Sequence, residues 1–186
     1  MKATTAGLPT KTESIVLGGG CFWCIEAVFG RIDGIRSAVS GYAGGDLENP
    51  AYDQVTTGTT GHAEVVKVEF DPESIRLEDV LDIFFSAHDP TTENRQGADT
   101  GTQYRSAVFF LDAKQESIVR RKIASIDAAG IWKNKVITEV APLAAFWPAE
   151  ESHQDYYEKH PYAGYCRVVI APKLKKIGLD IGALVK

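Results

Sequence analysis

Strand, helix, strand, strand, helix, strand: this order of the first six elements predicts a two-layer α+β fold with a mostly antiparallel sheet. Two patterns carry the reading. Ala63–Phe70 alternates, with Val66, Val68 and Phe70 on one face and Lys67 and Glu69 on the other, as a half-buried strand does. Leu77, Val80, Leu81 and Phe84 fall at i, i+3, i+4 and i+7, which makes Leu77–Ala87 an amphipathic helix. The six-element order is the split βαβ arrangement of a ferredoxin-like α/β plait, with long active-site loops expected at one edge.

Taken in order, Ser14–Leu17 reads as the first strand, and Phe22–Phe29 as a helix ending at Gly30. Ile35–Tyr42 is the next strand, closed by Gly44-Gly45. Glu48–Thr60 is loop, punctuated by Asn49-Pro50 and Gly58. After the two patterned elements, His88–Tyr104 is a long polar loop of the kind that carries function. Ser106–Leu111 is a strand, Ala113–Ala129 a helix stopped by Gly130, Lys135–Val140 a strand, and Glu151–His160 a short helix before Pro161. The tail from Val168 has no decided pattern, although Val168-Val169-Ile170 suits a fixed strand. Residues 1–13 are expected to form a flexible leader, and residues 14–186 a single catalytic domain.

Composition narrows the function. With 186 residues, 44% of them hydrophobic, the chain can bury a sizeable core. A net charge of −5 argues against a nucleic-acid or membrane surface. No apolar run approaches the roughly 20 residues of a membrane span, and the first dozen residues lack a secretory h-region. A cytoplasmic monomer is expected. Three cysteines, Cys21, Cys24 and Cys166, make no disulfide framework, and no second Cys-x-x-Cys or His-x-His supports zinc, so no metal is expected.

The densest chemical signal is Gly18-Gly19-Gly20-Cys21-Phe22-Trp23-Cys24. It places Cys21 at a helix start, where unpaired amides and the helix dipole favour a thiolate. Two aromatics beside a nucleophilic sulfur suit an apolar, electrophilic substrate. The alternative for Cys21 is a buried structural thiol. A phosphate loop is a poor reading, because the Lys-Ser/Thr that would follow the glycines is missing. Cys24 shares a helix face with Cys21 at i+3, and either packs inward or takes part in redox chemistry. Taken singly, Glu64, Tyr52, Tyr104 and Asp99 read as solvated or packing residues, and His62 as structural.

In combination they read differently. Gly-Gly-Cys-Phe-Trp at 19–23, Gly-Tyr-Ala-Gly-Gly at 41–45 and Asn-Pro-x-Tyr at 49–52 come first. Thr-Gly-His-Ala-Glu at 60–64, His-Asp-Pro at 88–90, Arg-Gln-Gly-x-Asp-x-Gly-Thr-Gln-Tyr-Arg-Ser at 95–106 and His-Gln-x-Tyr at 153–156 follow in order. This set resembles the class A peptide methionine sulfoxide reductase family over nearly the whole chain. The resemblance implies reduction of the S epimer of methionine sulfoxide, free or in proteins. By it, Cys21 matches the nucleophile that becomes a sulfenic acid, and Phe22 and Trp23 the wall for the substrate methyl. Glu64 matches the acid that protonates the sulfoxide oxygen, Tyr52 and Tyr104 its hydrogen-bonding partners, and Asp99 a substrate-binding residue. Cys166 matches the resolving cysteine of many members, and thioredoxin is the implied external reductant, with no other cofactor. Many members carry glycine where this chain has Cys24. Cys166 is taken as first resolver with Cys24 as relay, and the reverse order stays open.

Chemistry sets two further expectations. The sulfoxide oxygen leaves only once protonated, so Glu64 must hold a proton near neutral pH although a free Glu titrates at about 4.3. Cys21 needs the opposite shift, and an ionised Glu64 beside it would oppose that. Two rival readings remain: a thioredoxin-like dithiol oxidoreductase built on Cys21 and Cys24, which needs a cis-proline facing them, and a non-enzymatic redox or metal-binding module.

Overall fold

The computed structural model describes residues 11–178. Strand β1 (Glu13–Gly19) leads into helix α1 (Phe22–Phe29), then β2 (Ile35–Ala43), a short helix α2 (Tyr52–Val55), β3 (Ala63–Phe70) and α3 (Leu77–Ala87). A two-residue hairpin of β4 (Arg95–Gln96) and β5 (Asp99–Thr100) follows, then a 3₁₀ turn at Thr102–Tyr104, β6 (Ser106–Phe110) and α4 (Ala113–Ala128). The chain closes with β7 (Glu139–Pro142), β8 (Phe146–Pro148), a 3₁₀ turn at Glu151–His153, α5 (Tyr156–Lys159), and a wide helical turn at Cys166–Ile170 that runs into α6 (Ala171–Lys176).

One six-stranded sheet has the order β7-β6-β1-β3-β2-β8. Pairing is antiparallel except where β7 runs parallel to β6. The period-two pattern of the strands divides the core between two faces. Ile15, Leu17, Val66, Val68 and Val108 meet the buried faces of α1, α3 and α4, whereas Val16, Val65, Ala107 and Phe109 form a smaller cluster on the other side. Helix α1 lies in the deeper cluster and is buried at every residue except Trp23. Phe84 of α3 is fully buried there, its ring 5.1 Å from Phe85 and 4.2 Å from His88. Truncating it to alanine is expected to cost about 3–5 kcal/mol, read from the urea unfolding midpoint.

The mixed α/β architecture and the helices α1 and α3 follow the sequence reading; four local expectations do not. Lys135–Thr138 is not strand: the Val136 amide donates to Asp127 Oδ1 at the end of α4 and the Ile137 amide to the Pro90 carbonyl, so these groups are bonded outside the sheet and the ladder starts at Glu139. The expected helix at 151–160 is broken. Gln154 bonds through its side chain to the Ser40 amide and to the Ser40 and Ala149 carbonyls, serving the β2 edge, and Asp155 sits at φ +51. The loop at 48–60 contains α2. Val168-Val169-Ile170 is helical rather than strand, because Cys166, Ile170 and Leu174 at i, i+4 and i+8 are all fully buried. Residues 1–10 of the expected leader and residues 179–186 lie outside the described residues, and β1 opens at Glu13.

Candidate active site

The turn into α1 depends on glycine. Gly20 has φ +93, and a Cβ there would stand 2.6 Å from Gln96 Cγ. The Gln96 side chain is fixed by two bonds to the Asp89 backbone, so the β4–β5 hairpin sits directly over the glycine. Cys21 follows as the N-cap of α1, buried, with its carbonyl accepting from the Cys24 amide.

Glu64, second residue of the central strand β3, reaches the same helix start: its Oε2 accepts from the Phe22 amide at 3.1 Å. The nucleophile candidate and the acid candidate therefore meet at one helix N-terminus. Burial pushes the Glu64 carboxyl up to about 8, with Asp99 and Cys24 adding to the rise and the Phe22 amide opposing it. It is a neutral carboxyl at pH 7, as the chemistry requires.

The thiols depart from expectation. Burial raises Cys21 well above the ordinary thiol range, and Cys24 and Glu64 add to the shift. Cys24 is drawn down to about 7, first by its hydrogen bond with Cys21, with the Lys173 charge helping. Between the two thiols the proton stays on Cys21 and the charge falls on Cys24. The helix amide expected to serve the Cys21 sulfur is occupied by Glu64. Both thiols lie within reach of the Tyr165 hydroxyl, which stands 3.8 Å from Cys24 Sγ.

The remaining predicted residues surround this centre. Tyr52 opens α2 and stacks on Phe22 at 6.4 Å, and burial followed by the Glu64 and Cys21 charges pushes its hydroxyl up to about 12. Tyr104 ends the 3₁₀ turn and is raised by burial and then by Glu64, Tyr52 and Cys21. Both phenols thus stay protonated and can donate. Asp99 of β5 accepts from the Tyr165 hydroxyl at 2.7 Å. Phe22 is buried. Half-buried Trp23 lies flat on Tyr156, their centroids 3.7 Å apart at 8°. Cys166 is fully enclosed in the turn before α6.

Several residues here had no assigned role. His153 packs against Tyr52 in a tilted pair at 4.2 Å and stacks on Trp23 at 5.6 Å. Glu150 accepts from the Tyr52 amide at 2.8 Å and the Tyr42 hydroxyl at 2.9 Å, tying α2 to β2. His153 and Tyr156 stood inside the His-Gln-x-Tyr motif, and Tyr165 directly before Cys166, which was their only sequence signal. Glu150 gave none. His62 is structural as expected: its Nδ1 accepts from the Gly45 amide and its Nε2 donates to the Leu47 carbonyl.

The profile of the peptide methionine sulfoxide reductase family matches residues 13–181. The chain belongs to this family. Within it, the chain is 53% identical over 165 residues to the peptide methionine sulfoxide reductase MsrA of Nitratiruptor sp., covering 89% of this chain and 94% of that protein. The MsrA of Polynucleobacter asymbioticus is 46% identical over 182 residues, 98% of this chain and 95% of its own. Among solved structures, Mxr1 from Saccharomyces cerevisiae in reduced form superposes with a TM-score of 0.79 at 36% identity, over 85% of this chain and 91% of that one. Mxr1 in complex with Trx2 matches with a TM-score of 0.57 at 29% identity, over 82% and 90%. The class A family expectation therefore holds. Among the described residues there is no cis peptide bond of the kind the thioredoxin-like alternative needs, and no group of three or more metal-ligating side chains. No described helix is long and apolar enough to cross a membrane.

Proposed function

We propose that the chain reduces methionine S-sulfoxide, free or in proteins, to methionine, with Cys21 as nucleophile and Glu64 as general acid. The observation that carries this is the Phe22–Glu64 hydrogen bond, which brings a buried neutral carboxyl to the helix start bearing Cys21. The chain is an enzyme, a peptide-methionine (S)-S-oxide reductase, as family membership and about 50% identity over most of its length support.

The sulfoxide methyl rests against Phe22 and Trp23, and its oxygen accepts from Glu64, Tyr52 and Tyr104. Asp99 takes part in holding the substrate. As Cys21 attacks the sulfoxide sulfur, its proton passes along the thiol pair to Cys24. The sulfoxide oxygen ends on Cys21 as S–OH, methionine leaves with its sulfur reduced by two electrons, and Cys21 is oxidised by two. Neutral phenols and a neutral carboxyl stabilise the polarised S–O group without adding anionic charge beside the attacking sulfur.

Cys24 is the first resolver in this reading, and Cys166 follows. Cys24 lies in the first turn of the helix that Cys21 caps, its amide donating to the Cys21 carbonyl at 3.1 Å, whereas Cys166 is fully enclosed by helix. Cys24 attacks the Cys21 sulfenic acid, an S–S bond forms, and water leaves with the Cys24 proton. A relative solved with Trx2 supports thioredoxin as the external dithiol, with no organic cofactor or metal in the scheme. We further read residues 14–186 as one catalytic domain of a cytoplasmic monomer. The four inner strands, in the antiparallel order β6-β1-β3-β2 with α1 and α3 in one core, support a ferredoxin-like plait.

Assay of both sulfoxide epimers with dithiothreitol tests the activity; turnover of the S epimer alone is expected, and inactivity on it refutes the reading. Mass mapping after a single dose of sulfoxide tests the order of thiols. A 21–24 disulfide is expected in the Cys166→Ala variant at the parent's rate. In Cys24→Ser that rapid first disulfide is lost, while about one methionine still forms per enzyme.

A further inference from the structure

A cavity of about 280 Å³ opens beside the two thiols, lined by Cys21, Cys24, Asp99, Tyr165, Val169 and Lys173. It approaches Cys21 from the side of α6, with the Phe22, Tyr52 and Glu64 side chains outside its lining. Lys173 is half-buried, while its helix neighbours Lys175 and Lys176 are exposed. A partly buried lysine that lines a cavity shared with a dithiol is placed to interact with a negative charge there. Asp99 is one, but its Oδ2 accepts from the Tyr165 hydroxyl.

We propose that Lys173 is a positioning residue for the second half of the cycle, presenting its ammonium from α6 to the thiol cavity so that Cys24 stands there as a thiolate when it attacks oxidised Cys21. The inference rests on Cys24 as first resolver and adds the group that makes it competent. The charged and titratable groups around Cys24 are Cys21 and its neighbour Glu64, Asp99, Tyr165, Cys166 from the turn before α6, and Lys173, and Lys173 is the cation among them. The Lys173 charge lowers Cys24 and that of Asp99 raises it, in the directions their signs demand. His88, on the other side of Lys173, is held down to about 4 by burial and brings no competing positive charge at neutral pH. Cys24 occupies the third position of α1, so the helix dipole acts with the lysine. In the resolving step the S–S bond forms as the Cys21 S–O bond breaks. Glu64, left ionised by the first half-reaction, takes the proton from Cys24 and returns it to the departing hydroxide, which leaves as water, so no further oxidant or reductant enters.

The test compares the full-length parent with Lys173→Met and Lys173→Arg. The pH dependence of iodoacetamide labelling at Cys24 is read by mass spectrometry on reduced protein, and 21–24 disulfide formation is followed after one dose of methionine sulfoxide. In Lys173→Met the labelling midpoint is expected to rise by about one pH unit, and resolution at pH 7 to slow about fivefold, since a midpoint moved from about 7 to about 8 cuts the thiolate at pH 7 from about one half to about one tenth. Lys173→Arg keeps the charge and should stay within about twofold of the parent. Far-UV circular dichroism and the melting temperature establish that both variants fold. A parental labelling midpoint in folded Lys173→Met overturns the inference and leaves the resolver assignment standing. A first disulfide between Cys21 and Cys166 in the parent overturns the resolver assignment itself. Absence of methionine in the parent refutes the reductase reading.

Discussion

Replacing Cys21 with serine is expected to abolish methionine sulfoxide reduction, with neither a burst nor turnover in the presence of dithiothreitol. The sulfur supplies two properties that a hydroxyl lacks. It can pass its proton to Cys24 alongside as it attacks, and it is intrinsically far more nucleophilic than a neutral hydroxyl. It also accepts the oxygen and two electrons as a sulfenic acid, a state with no serine counterpart. The side chains differ by one atom, and Gly20, Phe22 and the Phe22–Glu64 bond do not depend on the sulfur, so the variant should melt near the parent temperature. Any turnover of the S epimer by this variant removes Cys21 from the mechanism. Cys24 is the residue to watch for residual activity, since with Cys21 gone its only hydrogen-bonded thiol partner is lost.

Glu64→Gln is expected to lower the single-turnover rate by about 10²–10⁴-fold, the usual worth of a general acid. Glutamine keeps the shape and can still accept from the Phe22 amide, but it has no proton to give to the departing oxygen. A loss below roughly tenfold would mean that Tyr52, Tyr104 or water supplies the proton. The parent should lose rate as pH rises through about 8, where burial places the carboxyl, because the neutral form is the active one. The same shift affects stability. A carboxyl raised on folding from about 4.3 to about 8 contributes fully below the lower value, and that contribution is lost as pH rises through the upper one. The glutamine variant should therefore be the more stable protein at pH 8 and resist more urea than the parent, a sign opposite to that of most active-site damage. Equal midpoints at pH 8 would show that the carboxyl is already ionised in the fold.

How much of this was legible depended on whether a signal was local. Helix α1 ran from Phe22 to Phe29 as read, and α3 from Leu77 to Ala87, because each carries its own apolar pattern. β8 was invisible: three residues ending in proline have no periodicity, and only the open edge of β2 makes them a strand. The break at Asp155 arose because Gln154 completes the β2 edge from 114 positions away in sequence. The helix at Cys166–Lys176 could have been seen. The β-branched run at 168–170 suggested a strand, but Cys166, Ile170 and Leu174 already lay at helical spacing. In the site, Cys21 and Glu64 were legible as residue types in a motif, while their meeting through the Phe22 amide was not. The upward shift of the Cys21 thiol was not legible, because its first cause is burial by distant elements, which has no trace in the local sequence.

The enclosure of Cys166 has a consequence for how the enzyme renews itself. Its sulfur is sealed under the turn that begins the last described helix, so electrons can reach or leave it only when that turn opens. In the proposed cycle, each pass through that thiol is then a small opening of the fold. Backbone amides from Arg167 to Lys176 should accordingly exchange with deuterated solvent faster once the protein is oxidised, so that the end of the chain reports the redox state of its beginning.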